Sequence, residues 1–111
     1  MRRLIIAAAL LAGAAGAQAA EPIVGNWKTA SGATAQIAAC GSSYCVTLKS
    51  GKYAGKMIGK MAGSGDSYKG EITDPETDKT YSGSGAVSGN SLKMKGCVLA
   101  VLCKSQTWSR L

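Results

Sequence analysis

The sequence predicts an all-β fold, about seven or eight short strands arranged as a small antiparallel up-and-down barrel or a sandwich. Three observations carry that expectation. No stretch keeps an apolar stripe at helical spacing. Short alternating runs are instead separated by Gly, Ser, Asp and Pro. The four cysteines fall into two close pairs, Cys40 with Cys45 and Cys97 with Cys103. A closed barrel also removes the exposed strand edges that a small all-β protein must otherwise protect.

The chain begins with a leader-like segment. Met1-Arg2-Arg3 is a positive start, Leu4 to Ala17 is small or apolar throughout, and Ala17-Gln18-Ala19 suits cleavage before Ala20. That apolar stretch is shorter than the ~20 residues of a bilayer-spanning helix, so no transmembrane segment is expected. Ala14 stands where a lipoprotein leader would carry its cysteine, so no lipid anchor is expected either. Residues 1–19 are therefore read as a cleaved signal peptide and 20–111 as a single domain, periplasmic or secreted. A domain of that size excludes Rossmann and TIM architectures.

The first strand is expected from Trp27 to Ala30, with a Ser31-Gly32 turn and a second strand over Ala33 to Cys40. The third, Tyr44 to Lys49, sets Tyr44, Val46 and Leu48 on one side and Cys45, Thr47 and Lys49 on the other. Residues 51–63 then repeat Gly-Lys-x-x three times. One reading is a glycine-zipper helix whose lysines face an anionic membrane. The other, preferred because interior Gly costs a helix ~1 kcal/mol relative to Ala, is a strand. It puts Met57, Gly59 and Met61 on one face and Lys56, Ile58 and Lys60 on the other. Ser67 to Thr73, Lys79 to Ser88, Ser91 to Val98 and Lys104 to Arg110 complete the series. Gly89-Asn90 is a two-residue hairpin signal. It turns Leu92, Met94, Gly96 and Val98 inward opposite Tyr81, Gly83, Gly85 and Val87.

Export makes disulfides the natural state of the cysteines. Three pairings are possible. Cys40–Cys45 and Cys97–Cys103 are favoured because each pair flanks a short connection between extended segments. Each such crosslink contributes ~2–3 kcal/mol by chain entropy. Residues 20–111 need that help, holding only 14 Leu, Ile and Val and no Phe. Zinc on four thiolates is the alternative, disfavoured by the spacing.

The absence of His excludes imidazole base catalysis, a Ser-His-Asp triad and His-ligated metal. Asp74, Glu76 and Asp78 begin like a calcium loop, but Lys79 and Gly85 stand where an EF-hand needs Gly and Glu. An Asp-Pro turn explains them better. Asp66 and Glu71 are solvated strand ends rather than an acid–base pair. No phosphate loop or nucleophile elbow occurs, so no enzyme and no cofactor are expected. Losing Arg2 and Arg3 with the leader lowers the formal charge from +7 to +5. The lysines are dispersed and no aromatic platform accompanies them, so nucleic acid is not the expected partner. An anionic envelope component is the more suitable one.

Several stretches, in order, resemble the bacterial exported family known as domain of unknown function 2147, over about residues 24–110. They are Gly25-Asn26-Trp27, Cys40-Gly41…Cys45, Ile72-Thr73-Asp74-Pro75…Lys79-Thr80-Tyr81, Lys95-Gly96-Cys97…Cys103 and Gln106-Thr107-Trp108-Ser109-Arg110. The resemblance implies a calycin-type barrel and an envelope-related or small-ligand-binding role. This chain departs from the family pattern in a short Lys49–Lys56 segment, in Thr73 before the Asp-Pro pair, and in Asp78 where a Gly is usual. Gly-x-Trp and a terminal Arg also resemble the lipocalin closure, in which the guanidinium of Arg110 would lie over the indole of Trp27 as a structural clasp.

Two functions are open at this point. The first is an apolar-ligand cavity lined by Trp27, Met57, Met61, Tyr81 and Met94, with adaptable methionines suiting an undemanding small hydrophobic ligand. The second is a filled barrel that docks an envelope partner through its basic surface or through the Val98–Leu102 tip. Those five apolar residues between two cysteines form either a plug for one barrel end or a contact patch.

Overall fold

A computed structural model describes residues 21–98 and 102–111. The leader reading lies outside these residues, as do Leu99, Ala100 and Val101 of the tip. The described chain is all-β. Its strands are β1 (Gly25–Lys28), β2 (Thr34–Cys40), β3 (Ser43–Leu48), β4 (Met57–Ser64), β5 (Ser67–Asp74), β6 (Lys79–Ser88), β7 (Ser91–Val98) and β8 (Leu102–Arg110). They form a closed antiparallel barrel in which each strand pairs with the next and β1 returns to β8. Both disulfides are present as favoured, Cys40–Cys45 with Cα atoms 5.8 Å apart and Cys97–Cys103 with Cα atoms 4.0 Å apart. Among the described residues no helix is long and apolar enough to cross a membrane.

The connections sort by length to opposite ends. Cys40 pairs with Ser43, Ser64 with Ser67, and Ser88 with Ser91. Three hairpins therefore turn through Gly41-Ser42, Gly65-Asp66 and Gly89-Asn90. In each, Gly at the first loop position has positive φ, between 58° and 69°, as a tight hairpin twisted with its strands requires. The other end carries the longer connections, residues 29–33, 49–56 and 75–78.

Residues 51–63 do not form the zipper helix. Residues 51–55 are turns and β4 follows. Its faces differ from strict alternation because the β3–β4 register shifts between Val46 and Thr47: Val46 opposes Gly59 while Thr47 opposes Met57. Ile58 is the extra residue of a bulge. Ile58 and Gly59 both face the core, and Met57 is thrown outward, 55% exposed.

The tight-turn end is packed. Ile23 lies under the barrel, fully buried, and its carbonyl accepts the Trp27 indole N–H at 2.9 Å. Trp27, Ile37, Val46, Met61, Tyr68 and Leu92 complete this core. Glu21 closes the bottom, its carboxylate accepting from the Gly65 amide at 2.7 Å and the Tyr68 hydroxyl at 3.3 Å. Burial, with the Glu21 charge adding to it, pushes the Tyr68 phenol up to about 12. Tyr68 therefore stays a neutral donor, its one proton shared between the Glu21 carboxylate and the closer Gly65 carbonyl at 2.7 Å.

Closure of the ring rests on few backbone pairs. β1 opposes β8 only at Trp27–Arg110 and Lys28–Ser109. Side chains reinforce the seam. The Arg110 guanidinium carbon lies 4.2 Å from the Trp27 ring centroid, and Nη2 donates to the Pro22 carbonyl at 2.7 Å. The Arg110 amide donates to Asn90 and the Leu111 amide to Asn26. Truncation of Arg110 removes the cation–π contact and its hydrogen bonds together. Arg110→Ala is expected to cost about 2 kcal/mol, or about 10 °C in Tm for a domain of this size. Thermal circular dichroism of the disulfide-intact protein checks this, and an unchanged melting curve would refute the clasp.

Candidate functional site

Alternation fixes which side chains look inward, and the two barrel ends then differ in how much of the interior they fill. At the long-loop end the interior is a cavity of about 800 Å³, within the ~300–1,000 Å³ range of small-molecule sites. Its inner wall is apolar: Leu48 from β3, Ile58 from β4, Ile72 from β5, Tyr81 from β6, Met94 from β7 and Trp108 from β8. The rim is polar, built from Thr29 and Ser31, from Ser50 and Lys52, and from Asp74 and Glu76.

Glycines let the wall pack closely here, and of the three that face one another only Gly96 lines the cavity. Gly70, Gly83 and Gly96 lie directly opposite one another on β5, β6 and β7. A Cβ on Gly83 would come within 2.6 Å of Ile72, so that position must be bare for Ile72 to lean across the wall. At Gly96 a Cβ would meet only Tyr81, at 3.4 Å.

The β8 wall is different in character. Lys104, Gln106 and Trp108 line the cavity, while Ser105 and Thr107 between them do not. The inward face of this strand is thus polar near the mouth and aromatic deeper in. Gln106 Oε1 accepts the Trp108 indole N–H at 2.9 Å. β1 ends at Lys28 and covers only the last part of β8. Among the described residues Leu102 to Thr107 pair on one side alone, with β7, and are exposed.

The rim turn at residues 75–78 is a compact local structure. The Asp74 carboxylate accepts the Glu76 amide at 2.9 Å, and the Asp78 amide donates to the Asp74 carbonyl at 2.7 Å. Asp78 has φ 60°, the left-handed conformation that Asp tolerates better than most residues. Its carboxylate pairs with Lys56 at 2.9 Å, the one ion pair among the described residues.

The five residues expected to line a cavity separate into three groups. Tyr81 and Met94 lie on the cavity wall. Trp27 and Met61 are buried in the packed half, because inward orientation does not specify which end a residue serves. Met57 is corrected outright: the bulge puts it on the outer surface and Ile58 in its place. Leu48, Ile58, Ile72, Lys104, Gln106 and Trp108 are among the lining residues that the sequence reading did not include. For β8 the signal was available, since stepping back by twos from Trp108 gives Gln106 and Lys104. Asp66 is exposed in a tight turn and Glu71 does not line the cavity. Of the Val98–Leu102 tip, the described Leu102 is 66% exposed.

The family model described as "Uncharacterized protein conserved in bacteria (DUF2147)" matches residues 25–110, and the chain belongs to that family. No curated protein and no solved structure matches it.

The bulge gives the site a sharp test in two neighbouring residues. Ile58→Ser should destabilise the protein by about 2 kcal/mol by removing buried apolar surface. Met57→Ser should stay within about 0.5 kcal/mol of the parent. Urea unfolding measures both, and the reverse order would place the bulge wrongly.

Proposed function

We propose that this member of the family is an exported, non-enzymatic binding protein that takes a small, mainly apolar ligand into the open half of its barrel. The observation that carries the reading is the contrast between the two ends. One is closed by Ile23, Trp27 and Arg110, and the other keeps a cavity of ligand size walled by Ile58, Ile72, Met94 and Trp108. Apolar walls with a few polar groups at the mouth are the usual make-up of a small-molecule site. The alternative, a filled barrel that docks an anionic envelope component, needs an interior without such space.

Two disulfides support the export half of the reading, because local crosslinks of this kind persist in oxidising compartments such as the periplasm or the extracellular medium. A chain without His supplies no imidazole base, which supports binding rather than catalysis.

The test uses the neutral apolar fluorophore N-phenyl-1-naphthylamine with the disulfide-intact protein. Saturable fluorescence enhancement, competed by unlabelled apolar compounds, is the expected result. Gly96→Leu places a side chain inside the cavity beside Tyr81 and should reduce uptake several-fold while the protein still melts cooperatively. Failure of the parent protein to take up the probe, or full uptake by Gly96→Leu, would contradict the proposal.

A further inference from the structure

The cavity wall contains a charge that an apolar ligand alone does not explain. Three lysines line the cavity: Lys52 in the 49–56 connection, Lys95 at an outer-face position of β7, and Lys104, which alternates with Gln106 and Trp108 on the inner face of β8. Directly across the β7–β8 ladder from Lys104 stands Gly96, and beyond it Gly83, neither with a side chain to cover that lysine. Among the described residues Lys104 has no ion-pair partner, since the one pair present joins Lys56 to Asp78. The two carboxylates of the rim, Asp74 and Glu76, belong to the β5–β6 turn, where Asp74 is engaged by the Glu76 amide. Lys104 is exposed at the mouth, so its charge adds little to the packing of the inner face. The same position filled by an apolar residue would extend the wall that Met94 and Trp108 begin.

We infer that the ligand is an anionic amphiphile: an apolar chain lies against Ile58, Ile72, Met94 and Trp108, and a carboxylate-type head group pairs with Lys104 at the mouth. This deepens the binding reading and rests on it. The geometry suits such a molecule because the polar and apolar parts of the wall follow one another along a single strand, Lys104 to Gln106 to Trp108. The head group stays near water, where the ammonium remains solvated, and only the chain enters the interior. A charged group at the mouth therefore avoids the large desolvation penalty of a buried ion pair. Gln106 is held by the Trp108 indole N–H through its oxygen, which leaves its amide N–H groups free to donate to the same head group.

Two probes of equal chain length separate the contributions, dodecanoate and dodecan-1-ol, titrated by calorimetry below their aggregation limits into the disulfide-intact protein. Three proteins are compared: the parent, Lys104→Met, and Lys93→Met, which removes the same charge from the outer face of β7. The parent should bind dodecanoate about tenfold more tightly than the alcohol, a typical margin for one charge-assisted contact. Lys104→Met should lose that margin with alcohol affinity unchanged, and Lys93→Met should keep it. Equal affinity of the parent for both probes, or equal loss of the margin in both variants, overturns the assignment of Lys104 while leaving apolar binding intact. Binding of neither probe overturns the binding reading itself, and this inference with it.

Discussion

The stacking of Arg110 on Trp27 is the contact on which the barrel depends. β1 is four residues long, and only two of its residues oppose β8. A seam of two residue pairs is too short to hold a ring of eight strands by backbone hydrogen bonds alone. Arg110 supplements it from both directions, lying on the indole and reaching the Pro22 carbonyl. Trp27 in turn donates to Ile23, so the segment before β1 is drawn under the barrel as its floor. Glu21, at the start of that segment, ties the floor to the Gly65 turn and to Tyr68. One arginine–tryptophan pair thus links the first strand, the last strand and the basal plug.

The same economy leaves the other end open. A chain with few large aliphatic residues cannot fill the whole interior of eight strands, and its apolar mass is concentrated where the clasp is. Toward the long loops, three adjacent strands present glycine to one another, and β8 runs past the end of β1 without a partner on that side. The disulfides stand at opposite ends, Cys40–Cys45 by a tight turn and Cys97–Cys103 beside the open end. The second holds β7 to β8 where the ring has no closing partner. Space, an uncovered strand edge and an inward lysine are therefore consequences of how little material the sequence has and where it is spent.

Much of this was readable in the residues. Alternation in 79–88 and 91–98, with Gly89-Asn90 between them, specified a hairpin whose bounds the structure reproduces. The close spacing of the cysteines pointed to the pairing observed. Other features were present but unread. Gly41, Gly65 and Gly89 recur at equal intervals and each begins a two-residue turn, and Gly-Ser and Gly-Asp are hairpin signals just as Gly-Asn is. The β4 bulge was invisible to a strict period of two, which assigned Ile58 to the solvent side between Lys56 and Lys60. An isoleucine flanked by two lysines on a supposed outer face was the clue. Which inward residues line space and which fill the core cannot be read from alternation at all. It depends on where along the barrel axis each strand sits, and that is set by the short β1 and the register of closure.

The central claim is that stability is concentrated at the clasped end and falls toward the open one. Native-state hydrogen exchange on the disulfide-intact protein measures this directly. The Arg110 amide, bonded to Asn90 at 2.8 Å, and the Val87 amide, bonded to Asp66 at 2.9 Å, should exchange only by global unfolding. The Gly55 and Asp78 amides, each in a bond of 2.7 Å at the open end, should exchange much faster despite equally short hydrogen bonds. Uniform protection at both ends, or slower exchange at Gly55 and Asp78 than at Arg110, would contradict the account.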